Sequence, residues 1–267
     1  MEKVIQTDPL IEHIYIHIPF CKRKCGYCSF YSQIISKKKK NDFIIFLLEE
    51  IKLRKKHFNI QPKTIYFGGG TPSLLSAEEL EKILSKFEFS DKCEITLEAN
   101  PTNINEEYSG ELAGTSINRI SLGVQSFIDD ELKLLGRLHD SKQVYRAYEL
   151  LRNSGFENIS FDLIFGLPNQ TIADVVFSPE RMIELAPEHI STYCLSLRKD
   201  VPLYKKITQI PDDETVSEFY SLIREKLISA GYEQYEISNF SKSGFESKHN
   251  LCYWSDKHYL GFGPSAA

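Results

Sequence analysis

The chain has 267 residues, of which 42% are hydrophobic and 26% charged, with a formal net charge of -5. That length and apolar content suffice for one large α/β domain or two ordinary ones, and they exclude a disordered chain. The acidic balance argues against wholesale nucleic-acid binding, and no apolar run approaches the length of a membrane span.

Met1–Asp8 is of mixed charge and has no apolar stretch, so it does not read as a signal peptide. The chain is therefore expected to be cytoplasmic. The first strand is expected at Ile14–Ile18, and further short β-branched and aromatic runs follow at Thr64–Phe67, Glu94–Leu97, Arg119–Val124, Ile159–Phe165 and Ile190–Leu195. Helical patterns lie between them at about Asp42–His57, Ala77–Phe87, Asn105–Ala113, Ser141–Ser154, Ser178–Ala186 and Asp212–Ala230. Ser76 and Glu79 read as a capping box. Ser178-Pro179 reads as a cap before a first-turn proline. Asp212–Glu214 opens the last helix with negative charge, and Gly231 closes it. The Lys37–Lys40 run is taken as a solvated loop. Strand followed by helix, about six times over, implies a parallel sheet, too few units for a complete eight-stranded barrel. Residues 1–231 are expected to form this core. Residues 232–267 form an extension rich in Tyr, Phe, Ser, Asn and His that stops at Gly261-Phe-Gly-Pro-Ser-Ala-Ala.

Three of the six cysteines, Cys21, Cys25 and Cys28, form a C-x3-C-x2-C array just after the first strand. In a reducing compartment, clustered thiols bind metal or do chemistry more often than they pair. Cubane iron–sulfur clusters usually take four cysteines; here Phe30 stands two residues after Cys28. Three thiolates would leave one iron open to a small ligand. A Cys3His zinc site using His13 or His17 is the alternative.

In parallel barrels the functional face lies at the carboxyl ends of the strands. Gly68-Gly69-Gly70-Thr71-Pro72 ends the second strand, where glycines permit close approach of a ligand and expose backbone N–H groups. Glu98 ends the third strand, Gln125 the fourth, and Asp162 interrupts the apolar fifth. A carboxylate in an apolar strand is costly unless paired or solvated, so three polar residues at corresponding positions suggest a shared site. Arg137 follows in Leu135-Gly-Arg-Leu-His139.

The C-x3-C-x-aromatic-C array, with Tyr27 as the aromatic residue, resembles the signature of the radical S-adenosylmethionine (SAM) enzymes. The resemblance implies a partial (β/α)6 barrel, an open relative of the eight-stranded barrel. It also implies a [4Fe–4S] cluster whose open iron binds SAM, reductive cleavage of SAM to a 5′-deoxyadenosyl radical, and Tyr27 against the adenine. The phrases Tyr15-Ile-His-Ile-Pro-Phe-Cys21, Tyr66-Phe-Gly-Gly-Gly-Thr-Pro72, Gly123-Val-Gln-Ser-Phe127 and Asp162-Leu-Ile-Phe-Gly-Leu-Pro168 narrow the resemblance to the oxygen-independent coproporphyrinogen III oxidase group. This implies that Tyr15, Gly69, Gly70, Thr71, Glu98, Gln125, Arg137 and Asp162 surround SAM. Gly70 and Thr71 would contact its methionine end, Glu98 its amino group, Arg137 its carboxylate and Asp162 its ribose hydroxyls.

The group has an oxidase branch, with a fourth cysteine where this chain has Phe30, and a heme chaperone branch with an H-N-x-x-Y-W motif. His249-Asn250-Leu-Cys-Tyr253-Trp254 matches the second. The resemblance therefore implies binding of heme b through His249, Asn250, Tyr253 and Trp254, and delivery to respiratory hemoproteins, peripheral to a membrane during transfer. An electron donor such as flavodoxin or ferredoxin and a homodimer are further implications. The alternative is oxidative decarboxylation of coproporphyrinogen III in porphyrin biosynthesis. Family members continue into a C-terminal helical domain, so the chain reads as truncated before it.

Overall fold

The computed structural model describes residues 10–207 and 210–266; the Met1–Asp8 segment lies outside them. Strand β1 (Leu10–Ile18) leads through two short strands, β2 (Phe20–Cys21) and β3 (Gln33–Ile34), into α1 (Lys37–Arg54). The strand–helix unit repeats as β4 (Asn59–Gly69), α2 (Ala77–Leu84), β5 (Glu94–Ala99), α3 (Glu106–Ala113) and β6 (Arg119–Gln125). Two helices, α4 (Asp129–Leu135) and α5 (Ser141–Asn153), precede β7 (Ile159–Phe165) and α6 (Ile172–Leu185). Then come β8 (His189–Cys194), α7 (Asp213–Ser229), β9 (Glu233–Gln234), β10 (Asn239–Ser241), α8 (Lys248–Trp254) and β11 (Tyr259–Phe262).

One sheet holds nine of these strands in the order β11-β1-β4-β5-β6-β7-β8-β10-β9. Its six central strands are the six expected from the sequence, and all five of their pairings are parallel. The fold is the α/β partial (β/α)6 barrel. It stays open, because β11 and β9 form separate edges. Residues 232–266 are built into those edges: β11 pairs parallel with β1, and β10 pairs antiparallel with β8.

Alternation along the strands explains the architecture, since successive side chains point to opposite faces. On β1, Ile14, Ile16 and Ile18 are fully buried in the core that the helices complete. On β6, Ile120, Leu122 and Val124 do the same. Each helix returns an apolar stripe to that core: Ile44, Leu47 and Ile51 from α1, and Val144, Ala147 and Leu151 from α5. The opposite strand face carries His13, Tyr15 and His17 on β1, Thr96 and Glu98 on β5, and Arg119 and Ser121 on β6. The barrel lumen is therefore polar. No helix among the described residues is long and apolar enough to cross a membrane.

Three local expectations change. Lys37–Lys40 is not a loop but the first turn of α1, capped by the Ser36 side chain, with Lys40 Nζ 2.7 Å from Glu79. Ser178-Pro179 does not start a helix; α6 begins at Ile172 under a Thr171–Asp174 capping box and runs through Pro179. Ser178 is drawn into a tertiary contact instead, accepting from the Phe127 N–H at 2.9 Å. Helices α4 and α8 fall where no helix is expected. The capping box at Ser76 and the acidic helix start at Asp212–Glu214 are as read, with Asp212 itself the cap.

Phe161 is fully buried and meets Tyr148 of α5 edge-on at 5.1 Å. Phe161→Ala is expected to cost about 3–5 kcal/mol, read as a lower urea midpoint with an unchanged m-value.

Candidate functional site: a polar barrel lumen beneath a cysteine loop

A cavity of about 460 Å³ runs along the lumen. At the carboxyl ends of the strands it is lined by Cys21, Cys25 and Cys28; toward their amino ends it reaches Ser247 and Asn250. Cys21 ends β2, and Cys25 and Cys28 follow on the loop to β3. All three thiols are free and partly exposed.

The loop is held by backbone bonds rather than by a core. The Gly26 N–H donates to Leu135 O at 3.1 Å, and Leu203 N–H donates to Gly26 O at 2.8 Å. Ile35 N–H donates to Cys21 O at 3.1 Å. Tyr27 packs with Leu135, Ile164, Leu167 and Leu195 in a small apolar cluster apart from the main core. Burial pushes its phenol well up. Two thiols have polar neighbours: Thr71 Oγ1 lies 3.7 Å from Cys21 Sγ and Arg137 Nη1 3.9 Å from Cys25 Sγ. Three free thiols on one pinned loop, with donors beside two sulfurs, fit an iron–sulfur cluster with three protein ligands. The zinc alternative fails on geometry. His17 donates from Nε2 to the Tyr31 carbonyl at 2.9 Å and accepts at Nδ1 from the Tyr15 hydroxyl at 3.2 Å, and His13 bonds Thr64 at the far end of the strands.

Below the loop stand two carboxylates. Glu98 accepts from the Tyr66 hydroxyl at 2.9 Å and from the Gly69 N–H at 3.1 Å. Burial first, and the nearby Asp162 second, raise its pKa to about 7. Asp162 accepts from Ser121 Oγ at 3.1 and 3.2 Å, and burial raises its pKa to about 6. Arg137 reaches in from the turn after α4, where Gly136 adopts φ +75°. Its Nη2 donates to the Gly123 carbonyl at 2.7 Å and to Asn100 Oδ1. Gln125 ends β6 at φ +68°, a left-handed conformation that costs a non-glycine residue about 1–3 kcal/mol and concentrates at functional sites.

The glycine run serves the scaffold as much as a ligand. A Cβ on Gly70 would lie 2.6 Å from the Phe20 carbonyl oxygen, and Gly69 holds φ +106°. Their N–H groups are not free, because Gly69 donates to Glu98 and Gly70 to Ile18 O at 2.8 Å. The run lets the chain cross the end of β1 and brings Thr71 under Cys21.

Of the other residues singled out in the sequence, Tyr27, Gly69, Gly70, Thr71, Glu98, Gln125, Arg137 and Asp162 line the cavity. Tyr15 stands behind it, stacked on Tyr66 at 6.1 Å. His249, Asn250, Tyr253 and Trp254 lie on α8, which plugs the amino ends of the strands. There Glu94, the first residue of β5, accepts from the Lys248 and His249 N–H groups at 3.1 and 3.0 Å. Asn250 faces the cavity, while Tyr253 and Trp254 are exposed. His249 is buried; its Nδ1 is 2.8 Å from Thr64 Oγ1, its Nε2 3.0 Å from the Tyr253 hydroxyl, and its ring stacks on Tyr66. Burial drops its pKa to about 3. Sequence reasoning missed Tyr66, Asn100, Arg119, Ser121, Ser160 and Tyr193, all of which line the cavity. The signal was present as polar residues at period two in otherwise apolar strands.

Comparisons with known proteins identify the family. Residues 15–178 match the radical SAM superfamily. The heme chaperone HemW of Bacillus subtilis is 40% identical over 262 residues, covering 94% of this chain and 69% of that protein. The heme chaperone HemW of Escherichia coli is 35% identical over 269 residues, covering 98% and 71%. Among solved structures, coproporphyrinogen III oxidase (HemN) from Escherichia coli, a radical SAM enzyme, superposes with a TM-score of 0.84 at 26% identity, covering 97% of this chain and 64% of that one. The chain belongs to the radical SAM superfamily and, within it, to the HemW heme chaperone family.

Proposed function

We propose that this chain is the SAM- and heme-binding part of a heme chaperone. The observation that carries the reading is the coexistence of two features at opposite ends of one barrel: a three-cysteine loop with Phe30 where an oxidase-type fourth cysteine would stand, and a histidine–tyrosine–tryptophan helix whose aromatic end is open to solvent.

Superfamily membership implies a [4Fe–4S] cluster and SAM. Cys21, Cys25 and Cys28 would hold the cluster, which supplies an electron and an open iron position when bound. Glu98, ionised, would pair with the methionine ammonium and Arg137 with its carboxylate. Asp162 would accept from the ribose hydroxyls, and Tyr27 would lie along the adenine. Gln125, Thr71 and the Gly69–Gly70 backbone complete the cradle. Heme b would bind at α8 against Tyr253 and Trp254. Because both His249 nitrogens are engaged in the protein, His249 would hold heme iron only once the Tyr253 hydroxyl had left Nε2. The reading calls for a one-electron donor of flavodoxin or ferredoxin type and for respiratory hemoproteins as heme acceptors, met as a homodimer in the cytoplasm.

A second reading, oxidative decarboxylation of two propionates of coproporphyrinogen III, is favoured by the likeness to HemN. Anaerobic turnover of coproporphyrinogen by the protein would put that reading first.

Heme titration of the anaerobically reconstituted protein, followed at the Soret band, should saturate near one heme per chain and weaken about tenfold or more in His249→Ala. Absence of saturation, or indifference to His249, would sink the chaperone reading. Cys25→Ala should abolish the reconstituted cluster chromophore while leaving the far-UV circular dichroism unchanged. The two carboxylates make a pH prediction. Their folded pKa values lie above the ordinary ones, so the stability they contribute is present at low pH and is lost as pH rises through about 6 and 7. The ligand-free Tm should therefore fall between pH 5 and 8, and fall less in Glu98→Gln. SAM affinity should rise over the same interval as Glu98 ionises, and this rise should vanish in Glu98→Gln.

A further inference from the structure

The deep half of the cavity holds a cation that no carboxylate contacts directly among the described residues. Arg119, the first residue of β6, is 2% exposed and lines the cavity. Its Nη1 donates to Asn158 Oδ1 at 2.7 Å and to the Phe245 carbonyl at 3.2 Å. A guanidinium carries five N–H donors, and the others find no acceptor among the described residues. No carboxylate forms an ion pair with it there. Asp162, close enough to feel its charge, is turned to Ser121 instead. Directly in register with Arg119 on β5 is Thr96, fully buried, lining the same cavity, with an Oγ1 that has no hydrogen-bond partner among the described residues. Neighbouring strands lie about 4.8 Å apart, so the orphaned hydroxyl and the unfilled guanidinium face one volume. A buried hydroxyl left unmatched is costly, and a guanidinium that uses only one of its nitrogens keeps the rest of its fork for a ligand.

We propose that the lumen below the Glu98–Asp162 level is a carboxylate-binding site in which Arg119 and Thr96 grip the acid group. A carboxylate offers two oxygens in the spacing that suits a guanidinium fork, with a lone pair to spare for the Thr96 hydroxyl. Charge favours a monoanion, which balances Arg119 alone. A phosphate dianion would place excess negative charge under two carboxylates. His189 adds no positive charge, since burial keeps its imidazole neutral and its nitrogens are bonded to Ser160 and Tyr235 at 2.7 and 2.8 Å. Arg119 stands two positions before Ser121, the partner of Asp162, so the acid group enters about 7 Å of strand rise below Ser121. Its alkyl chain then points up the lumen toward the cysteine loop. The ligand is a free small alkyl carboxylate or a propionate-like arm of a larger molecule. The site does not depend on heme binding at α8.

The test is isothermal titration and thermal melting of the anaerobically reconstituted chain, with and without SAM. The probes are sodium propionate, sodium succinate, coproporphyrin III, coproporphyrin III tetramethyl ester and sodium phosphate. Saturable binding of propionate or succinate alone supports the site with a small acid as ligand. Tighter binding of coproporphyrin III than of its ester supports it with a carboxylate arm as ligand. Arg119→Lys should weaken binding roughly 10–100-fold and Thr96→Val roughly 5–30-fold. Thr96→Val removes a hydroxyl that bonds nothing, so its ligand-free melting should match or exceed that of the parent, which keeps the test decisive if Arg119→Lys misfolds. The proposal is overturned by lack of saturable binding of every carboxylate, by preference for phosphate, or by a Thr96→Val protein that binds them undiminished.

Discussion

A parallel sheet with apolar side chains on one face and polar ones on the other cannot close over a solid core. Here the helices take the apolar face, so the lumen is left to Thr, Ser, Tyr, His, Arg and carboxylates. Those groups need partners, and the strands supply only some of them. Tyr66 serves Glu98, Ser121 serves Asp162, and Ser160 serves His189. What remains unmatched is the binding capacity of the barrel.

The two ends of the lumen are built differently. At the carboxyl ends, a loop with little core of its own is fixed by backbone bonds and lies over Glu98, Asp162 and Arg137, with Asn100 and the Gly123 carbonyl steering the guanidinium. At the amino ends, α8 is locked by Glu94 at its start and by the Thr64–His249–Tyr253 chain along its side. Because neither end is closed by the sheet, each can specialise without disturbing the alternation between them.

Local chemistry was the most legible part of the sequence. Cys21, Cys25 and Cys28 lie within one loop, and the capping box at Ser76 needs only Glu79. The six strands showed because their outward residues are apolar at period two. Glu98 and Asp162 stood out for the complementary reason, as charges in apolar runs. The Lys37–Lys40 run hid the start of α1, because like charges are tolerated in a first turn once Ser36 caps it. Pro179 suggested a helix start because its missing N–H is harmless in a first turn, whereas here it sits mid-helix beside a serine committed to the turn after β6. The placement of α8 was hidden for a different reason: the contact between Thr64 and His249 joins residues 185 apart in the chain. No local pattern encodes that meeting; it exists only once the strands stand side by side.

The chain contains a single tryptophan, Trp254, and the fold sets it at the last residue of α8, with 60% of its surface open to water. The chain thus carries one indole, and when excited beyond the tyrosine absorption band it reports from the floor of the barrel rather than averaging over the molecule. The cysteine loop lies at the other end of the strands, about 20 Å away by strand rise. An absorbing tetrapyrrole at α8 would drain the indole's excited state by energy transfer at contact range. Emission from this one residue therefore separates events at the floor from a mere change in the helices' core, without any added label.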